Sequence, residues 1–520
     1  MTCFKATRSA SFLFVSDYTE KPVAYRWLRV EKREERKGKK KAEEPPSGKV
    51  GSSQQSTAQG AFSHMSIHFR QGKLQGQERI SIIHEVQQQA KAAALTAIKP
   101  LITAFLQAEQ QAKLGRKNGE PRRVSSQPRE IDWGCGQCGC HDANQFTRDG
   151  HYRRTLATGW GLLEGVQVPM LECHCCGHDV VCRFAILDKY QRFWMDVDQR
   201  LLFGSGLCQS LRHLSQQWSA TLESSVGLRT INERINQLEP LLEQARQERI
   251  TDVPAVVQFD GIWLREQTQT ETIKLDKRGR KRHQRSGKKV VLLVALGFWT
   301  DGSGRREILD WQIAEGESKA AWDPFVHRLW ERGVRPENGL QAVIRDGCGE
   351  LGEAVAWVYG ATIVEQRCIF HKMRNVADKC RQELKGEQKE EERKKLMSQV
   401  SAIYQAESAT EAKTRLATFA DAWQARTPKT VETLHRDFEQ TIAYYQLEGV
   451  ARELVRTTSL LERTNRELRR KFRQVCCFGS PKGAEVTIFL QVKRLNARWS
   501  KQTWWETSQH LYFDFLTLHP

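Results

Sequence analysis

The chain has 520 residues, with 81 Lys and Arg against 62 Asp and Glu, a formal net charge of +19 and a pI near 9.4. That length exceeds one ordinary core, so roughly two to four domains are expected. The cationic excess points to a polyanionic partner, because Lys and Arg gain affinity by displacing counterions from phosphates, and no apolar run reaches the length of a bilayer span.

In chain order, the apolar run SASFLFV (9–15) follows Lys5 and Arg8 but leads into polar residues rather than a small-residue cleavage site, so no export signal is expected. Residues 31–60 mix dense charge with Pro, Gly, Ser and Gln and have little to bury. Residues 1–64 are therefore expected to form a disordered extension, and Met65 is a second candidate start. Residues 65–128 are expected to be helical. Strong helix formers run from Glu78 to Leu114, and Pro100 predicts two helices or one kinked helix.

Seven cysteines crowd into the next stretch: Cys135, Cys138, Cys140, Cys173, Cys175, Cys176 and Cys182. Cys135-Gly-Gln-Cys138 and Cys173-His-Cys-Cys176 are two Cys-x-x-Cys pairs, each able to turn two thiolates onto one side of a tight knuckle. Two knuckles complete a tetrahedral S4 site, which leaves no position for water and so implies structural Zn2+. A zinc ribbon over 129–185 is expected, with Cys140, His141, Cys175 and His178 as neighbouring donors able to replace a ligand. Its basic residues Arg148, His151, Arg153 and Arg154 either face DNA or are ordinary exposed charges.

Residues 186–250 carry apolar positions at three- and four-residue spacing, the helical period. Here SLRHLSQQWSATLESSVGLRTINERINQLEPLL has the form of a helix, a break and a second helix opening at Gly227–Arg229. Arg229, Asn232 and Arg234 would then enter a major groove. A plain helical packing pair explains the same pattern.

From 253 the pattern changes to strands in PAVVQFDGIWL, KKVVLLVALGFWT and RREILDWQIAEG, with turn signals at Asp301-Gly302 and Ser303-Gly304. Helix, strand, helix, strand and helix follow, which predicts an α/β fold with a mixed sheet. Residues 383–445 are polar and helical, and are expected as an insertion within that fold; 501–520 form a C-terminal tail.

Asp260 closes the apolar run VVQFD, and Asp346 closes AVIRD. Carboxylates at the ends of adjacent strands are rigidly aimed and suit Mg2+ or Mn2+, which stabilise both oxygens of a phosphodiester displacement. Each Asp-Gly pair is equally a turn signal. In RTTSLLERTNRELRRKFRQV, Glu462 lies in a helix whose start Thr457, Thr458 and Ser459 can cap. Arg463, Arg466, Arg469, Arg470, Lys471 and Arg473 make that helix basic, as a DNA-cutting site requires. Glu467 competes with Glu462 but belongs on a different face.

These segments together resemble the transposases of the Mutator-type insertion-sequence superfamily. The resemblance runs from Asp260 to Trp499 through GFWTDGSGRREILDW, ESKAAWDPFVHRLWERGV, VIRDGCGELGEAV, EQRCIFHKMRN and TTSLLERTNRELRRKFRQV. It implies a ribonuclease-H-like catalytic domain over 251–382 and 446–500, with the helical insertion 383–445 between the second Asp and the Glu. It implies Asp260, Asp346 and Glu462 as the metal-binding triad. It also implies a Cys-x-x-His element, matched by Cys368 and His371, that supports the site or positions DNA; Arg374 and Asn375 follow on the same helix. The expected function is metal-dependent cleavage at the ends of an insertion sequence, followed by strand transfer, in the cytoplasm of a bacterial or archaeal cell at the nucleoid. The partners would be double-stranded DNA, as terminal inverted repeats and target, and at least one further copy of the chain. A domesticated DNA-binding regulator and a nuclease without strand transfer are the alternatives. The N-terminal half departs from the pattern, as does the Cys476-Cys477-Phe478-Gly479 turn, which lacks the expected Phe-Pro.

Overall fold

Apolar period sets the order of elements. In a computed structural model, residues 76–122 and 127–518 are described. The expected extension 1–64 and Met65 lie outside the described residues. Helix α1 (Gly76–Leu114) runs through Pro100 without a break. A proline removes one backbone hydrogen bond from a helix. The second half of α1 is nevertheless held by Ile102, Leu106 and Leu114, which are buried against Phe146, Val166, Val168 and Leu171. Those partners lie on β1 (Phe146–Thr158) and β2 (Gly161–Cys173), which with β3 (His178–Val181) form an antiparallel sheet in the order β1-β2-β3. The helical region and the cysteine module, expected as separate regions, thus share one core.

Four helices follow: α2 (Met195–Gly206), α3 (Leu211–Leu222), α4 (Leu228–Asn236) and α5 (Glu239–Gln247). The second sheet comprises β4 (Val256–Leu275), β5 (Lys281–Phe298), β6 (Arg306–Ala314), β7 (Ala342–Arg345) and β8 (Val364–Arg367), in the order β6-β5-β4-β7-β8. The first three are antiparallel neighbours, while β7 runs parallel to β4 and β8 parallel to β7. The expected mixed α/β sheet is borne out. A three-strand meander produces the antiparallel part, and the crossovers through α6 (Lys319–Glu331) and α7 (Gly349–Tyr359) produce the parallel part.

The strand period of two sorts residues onto the two faces. Val257, Phe259, Val291, Leu293 and Val343 face one layer, where they pack on Trp322, Phe325, Leu329 and Leu351 of α6 and α7. Val256, Ile262, Leu292, Val294, Ala342 and Ile344 face the other layer. That second layer contains α8 (Ile369–Glu383), α9 (Glu390–Ile403), α10 (Ala409–Trp423), α11 (Pro428–His435), α12 (Phe438–Thr441), α13 (Arg452–Val455), α14 (Ser459–Val475), α15 (Pro481–Trp499) and α16 (Trp504–Leu518). Residues 383–445, polar in composition, still bury Leu396, Val400, Leu416, Phe419, Trp423 and Leu434 in a core continuous with Val256 and Ile344. Among the described residues, no helix is long and apolar enough to cross a membrane.

One strand expectation fails. β4 does not stop near Asp260 but continues to Leu275, paired with β5 in a long hairpin. Residues 271–289 are exposed apart from the half-buried Asp276. Such a segment shows no apolar alternation, because cross-strand hydrogen bonds hold it and neither face is covered.

Candidate active site

The register of β4 on β7 pairs Val256 with Ala342, Val257 with Val343 and Gln258 with Ile344. Two residues further along both strands, the same offset sets Asp260 level with Asp346. Both share the parity of Ile262 and Ile344, so both aspartates emerge on the face covered by α14. Asp260 lies where its parallel neighbour ends, not at the end of its own strand. Its Oδ1 accepts the Gly261 amide at 2.9 Å, and Asp346 Oδ1 accepts the Cys348 amide at 2.9 Å.

Helix α14 is fixed to β4 by a residue that sequence reasoning missed. Gln258, fully buried, accepts the Leu461 amide at 3.1 Å and donates to the carbonyls of Leu454 and Thr457. It thereby satisfies an orphan amide in the helix's first turn. Of the three expected hydroxyls, Thr457 Oγ1 accepts the Ser459 amide at 3.4 Å, whereas Thr458 makes no cap bond and its Oγ1 donates to Cys368 Sγ at 3.4 Å. One turn on, Glu462 lies with Oε1 3.9 Å from His371 Nε2, and its charge is felt at Asp260. Asn465, also missed, lies three residues beyond Glu462 and is 1% exposed. Its Nδ2 donates to Asp260 Oδ2 at 2.6 Å, while its buried Oδ1 has no partner. A polar residue in the apolar run VVQFD, and an Asn one turn from Glu462, were the available signals.

Crowding shows in the electrostatics. Burial, then the charge of Asp346 and more weakly that of Glu462, pushes the Asp260 carboxyl up from 3.8 to about 6. His371 is held up to about 9 by the Cys368 sulfur, against the effect of burial, with help from Asp346 and Asp260. Burial raises the Cys368 thiol, but His371 and Thr458 outweigh it and leave the group lowered. Glu317 is a further carboxylate at the rim, raised by burial and by Asp346. A Cβ at position 261 would push the Glu317 carboxylate out of its present position. Hard oxygen donors whose charges raise Asp260 and Glu317 are of the chemical type that a divalent cation such as Mg2+ takes. The buried, unpartnered Asn465 Oδ1 beside them is a further oxygen donor.

The other expected residues divide. Arg463, Arg466, Arg469, Arg470 and Arg473 are exposed along α14, and Arg374 is exposed on α8. Lys471 is not part of that face: it is buried, donating to the Gln209 carbonyl at 2.9 Å. Glu467 is turned toward Arg470, at 3.1 Å. In the helix pair α3–α4, Arg229 is exposed beside Glu233, at 2.6 Å. Arg234 corrects its expectation: its guanidinium is held by both carboxylate oxygens of Asp198, at 2.8 and 2.7 Å, and lies over Phe193. A guanidinium occupied in this way is not offered to a groove.

In the cysteine module, the Sγ atoms of Cys135, Cys138, Cys173 and Cys176 all lie within 4.8 Å of one another. Cys135 and Cys176 are 3.5 Å apart, and Cys138 and Cys173 are 3.6 Å apart. Tetrahedral zinc with Zn–S near 2.3 Å needs sulfurs about 3.8 Å apart, so the set fits. The two knuckles close alike. The amide of Gly139 donates to the Cys135 carbonyl, and that of Gly177 to the Cys173 carbonyl. These glycines have φ of 69° and 66°, which side chains with a Cβ resist. The Cys138 amide draws the Cys135 thiol down to about 6, against burial and with help from Gln137. Cys140, Cys173 and Cys175 form a second grouping that shares Cys173.

The model of the family described as "Transposase, Mutator family" matches residues 83–502. The transposase for insertion sequence element ISRM5 of Rhizobium meliloti (strain 1021) is 24% identical over 384 residues, covering 72% of this chain and 83% of that one. The transposase for insertion sequence element IS256 in transposon Tn4001 of Staphylococcus aureus is 25% identical over 362 residues, covering 68% of this chain and 82% of that one. A solved structure, the Drosophila P element transposase strand transfer complex, overlaps 62% of this chain and 80% of that one at 9% identity; its TM-score of 0.23 is too low to support an argument. With the match spanning most of its length, the chain belongs to the Mutator family of transposases.

Proposed function

We propose that this transposase is of the DDE type, with a ribonuclease-H-like sheet carrying Asp260 and Asp346 and helix α14 carrying Glu462. The observation that carries this reading is the shared register and parity of the two aspartates, faced by a glutamate on a helix that Gln258 anchors to the same strand. When bound, Mg2+ or Mn2+ supplies activation of the attacking oxygen and stabilisation of the leaving one. The three carboxylates hold the charge that this requires. Asn465 fixes one Asp260 oxygen and leaves the other to the Gly261 amide. His371 stands as a cation beside Glu462 and the aspartates, limiting their mutual repulsion. Water would first cut at the element's ends and free a 3′-hydroxyl, which then attacks a phosphodiester of the target.

In this reading double-stranded DNA is the substrate, Arg463, Arg466, Arg469, Arg470, Arg374 and Arg229 contact its backbone, and paired ends call for at least two copies of the chain. Cys135, Cys138, Cys173 and Cys176 hold structural Zn2+ in a zinc ribbon. The test is cleavage and joining of labelled DNA carrying the element's flanking repeats, with Mg2+ or Mn2+. Metal-dependent joined products that vanish in Asp346→Asn are expected. Equal activity in that variant would exclude Asp346 from the chemistry.

A further inference from the structure

The hairpin of β4 and β5 extends well past the sheet that holds Asp260. Its root is clamped where α14 ends: Phe478 donates its amide to the Arg265 carbonyl, and its carbonyl accepts the Gln267 amide, at 2.9 and 2.8 Å. Beyond that clamp the two strands have only each other, pairing from Gln267 with Gly287 to Leu275 with Lys281. The tip is ordered by Asp276, whose carboxylate accepts the amides of Arg278 and Arg280. At about 3.3 Å per residue, the arm from Gln267 to its tip is roughly 30 Å long.

Its composition matches no buried role. From Gln267 to Lys289 there are nine Lys and Arg against Glu271 and Asp276. Asp276 pairs with Arg282, and Lys288 with Glu315. Among the described residues no carboxylate lies within ion-pair distance of Lys274, Lys277, Arg278, Arg280 or Lys281. Cations gathered on a two-stranded ribbon repel one another, and a chain of phosphates reverses the sign of that interaction. A two-stranded ribbon also has the width that a duplex groove admits.

We propose that this arm is a DNA-gripping element that runs along the phosphates of duplex DNA beside the cut. The proposal rests on DNA being the substrate of the site. Asp260 lies seven residues from Gln267 on the same strand, about 23 Å at strand rise. The arm therefore engages the duplex roughly seven base pairs or more from the reacting phosphate, at about 3.4 Å per nucleotide.

The test is binding of a fluorescent 30-base-pair duplex by the full chain across a series of salt concentrations. The variant combines Lys277→Gln, Arg278→Gln, Arg280→Gln and Lys281→Gln. With about 0.9 counterion released per phosphate contact, the slope of log affinity against log salt is expected to fall by about 3 to 4, and affinity at 0.1 M salt by more than tenfold. A charge-keeping variant (Lys277→Arg, Arg278→Lys, Arg280→Lys, Lys281→Arg) should bind within about twofold of wild type, because the interaction is electrostatic. Replacing residues 270–284 by an Asn-Gly turn should match the glutamine variant with no loss of thermal stability, since the arm buries no core. A wild-type slope in the glutamine variant would overturn the arm's role and leave the transposase reading intact. Failure of the wild type itself to bind duplex at low salt would overturn both.

Discussion

A carboxyl group between β4 and α14 meets opposing demands. Burial favours its neutral form, while the proposed chemistry uses the charged one. In metal-free protein Asp260 binds its proton more tightly folded than unfolded, so stability is lost as pH rises from about 4 through about 6. The shift from 3.8 to about 6 corresponds to about 3 kcal/mol at neutral pH. Asp260→Asn is expected to remove that share of the fall, leaving a urea midpoint that declines less steeply than wild type between pH 4 and pH 7 with chelator present, while Asp198, likewise raised to about 6, keeps its own share. Parallel pH profiles in variant and wild type would contradict the assignment. Asn465→Ala frees the Asp260 oxygen that it now holds. The expected outcome is a loss of about 10- to 100-fold in cleavage rate with a higher Mg2+ requirement, the usual effect of losing a partner behind a metal ligand. Unchanged metal dependence would show that Asn465 has a packing role alone.

At the scale of elements, α14 and the cysteine module depend on different cements. Gln258→Leu keeps the volume and apolar character of β4 but leaves the Leu461 amide and two carbonyls without partners. A cost of about 1–3 kcal/mol is expected for the stranded amide, read as a lower denaturation midpoint. In the module, two sulfur groupings share Cys173, and metal content separates them. Cys175→Ser should retain one zinc per chain by mass spectrometry and Cys138→Ser should lose it; the reverse pattern would move the metal to Cys140, Cys173 and Cys175. Because α1 packs on the same core as β1 and β2, zinc removal is expected to loosen α1 as well, visible as faster amide exchange around Ile102 and Leu106.

At the scale of the whole molecule, what could be read from the sequence follows burial. The strands VVQFD and AVIRD were legible because both faces of the central sheet are covered, leaving short apolar runs that end in an acid. The mixed sheet followed from the order of such runs. The full hairpin was not legible, because its outer half buries nothing and so leaves no period. Arg234 looked like a groove-reading residue because its partner, Asp198, lies on a different helix that only the tertiary packing brings near. Gln258 and Asn465 were missed for the same reason: each acts on a residue about two hundred positions away. The consequence is a single sheet whose inner end carries the carboxylates and whose outer end carries the basic arm.

Asp260, Asp346 and Glu462 are proposed to hold the divalent metal together. Crystals of the protein soaked in Mn2+, with anomalous scattering recorded at the manganese edge, test it most directly. A peak is expected within about 2.0–2.3 Å of carboxylate oxygens of Asp260 and Asp346, with Glu462 on the same ion or a neighbouring one. Manganese bound elsewhere, with these three carboxylates free of metal, would contradict it.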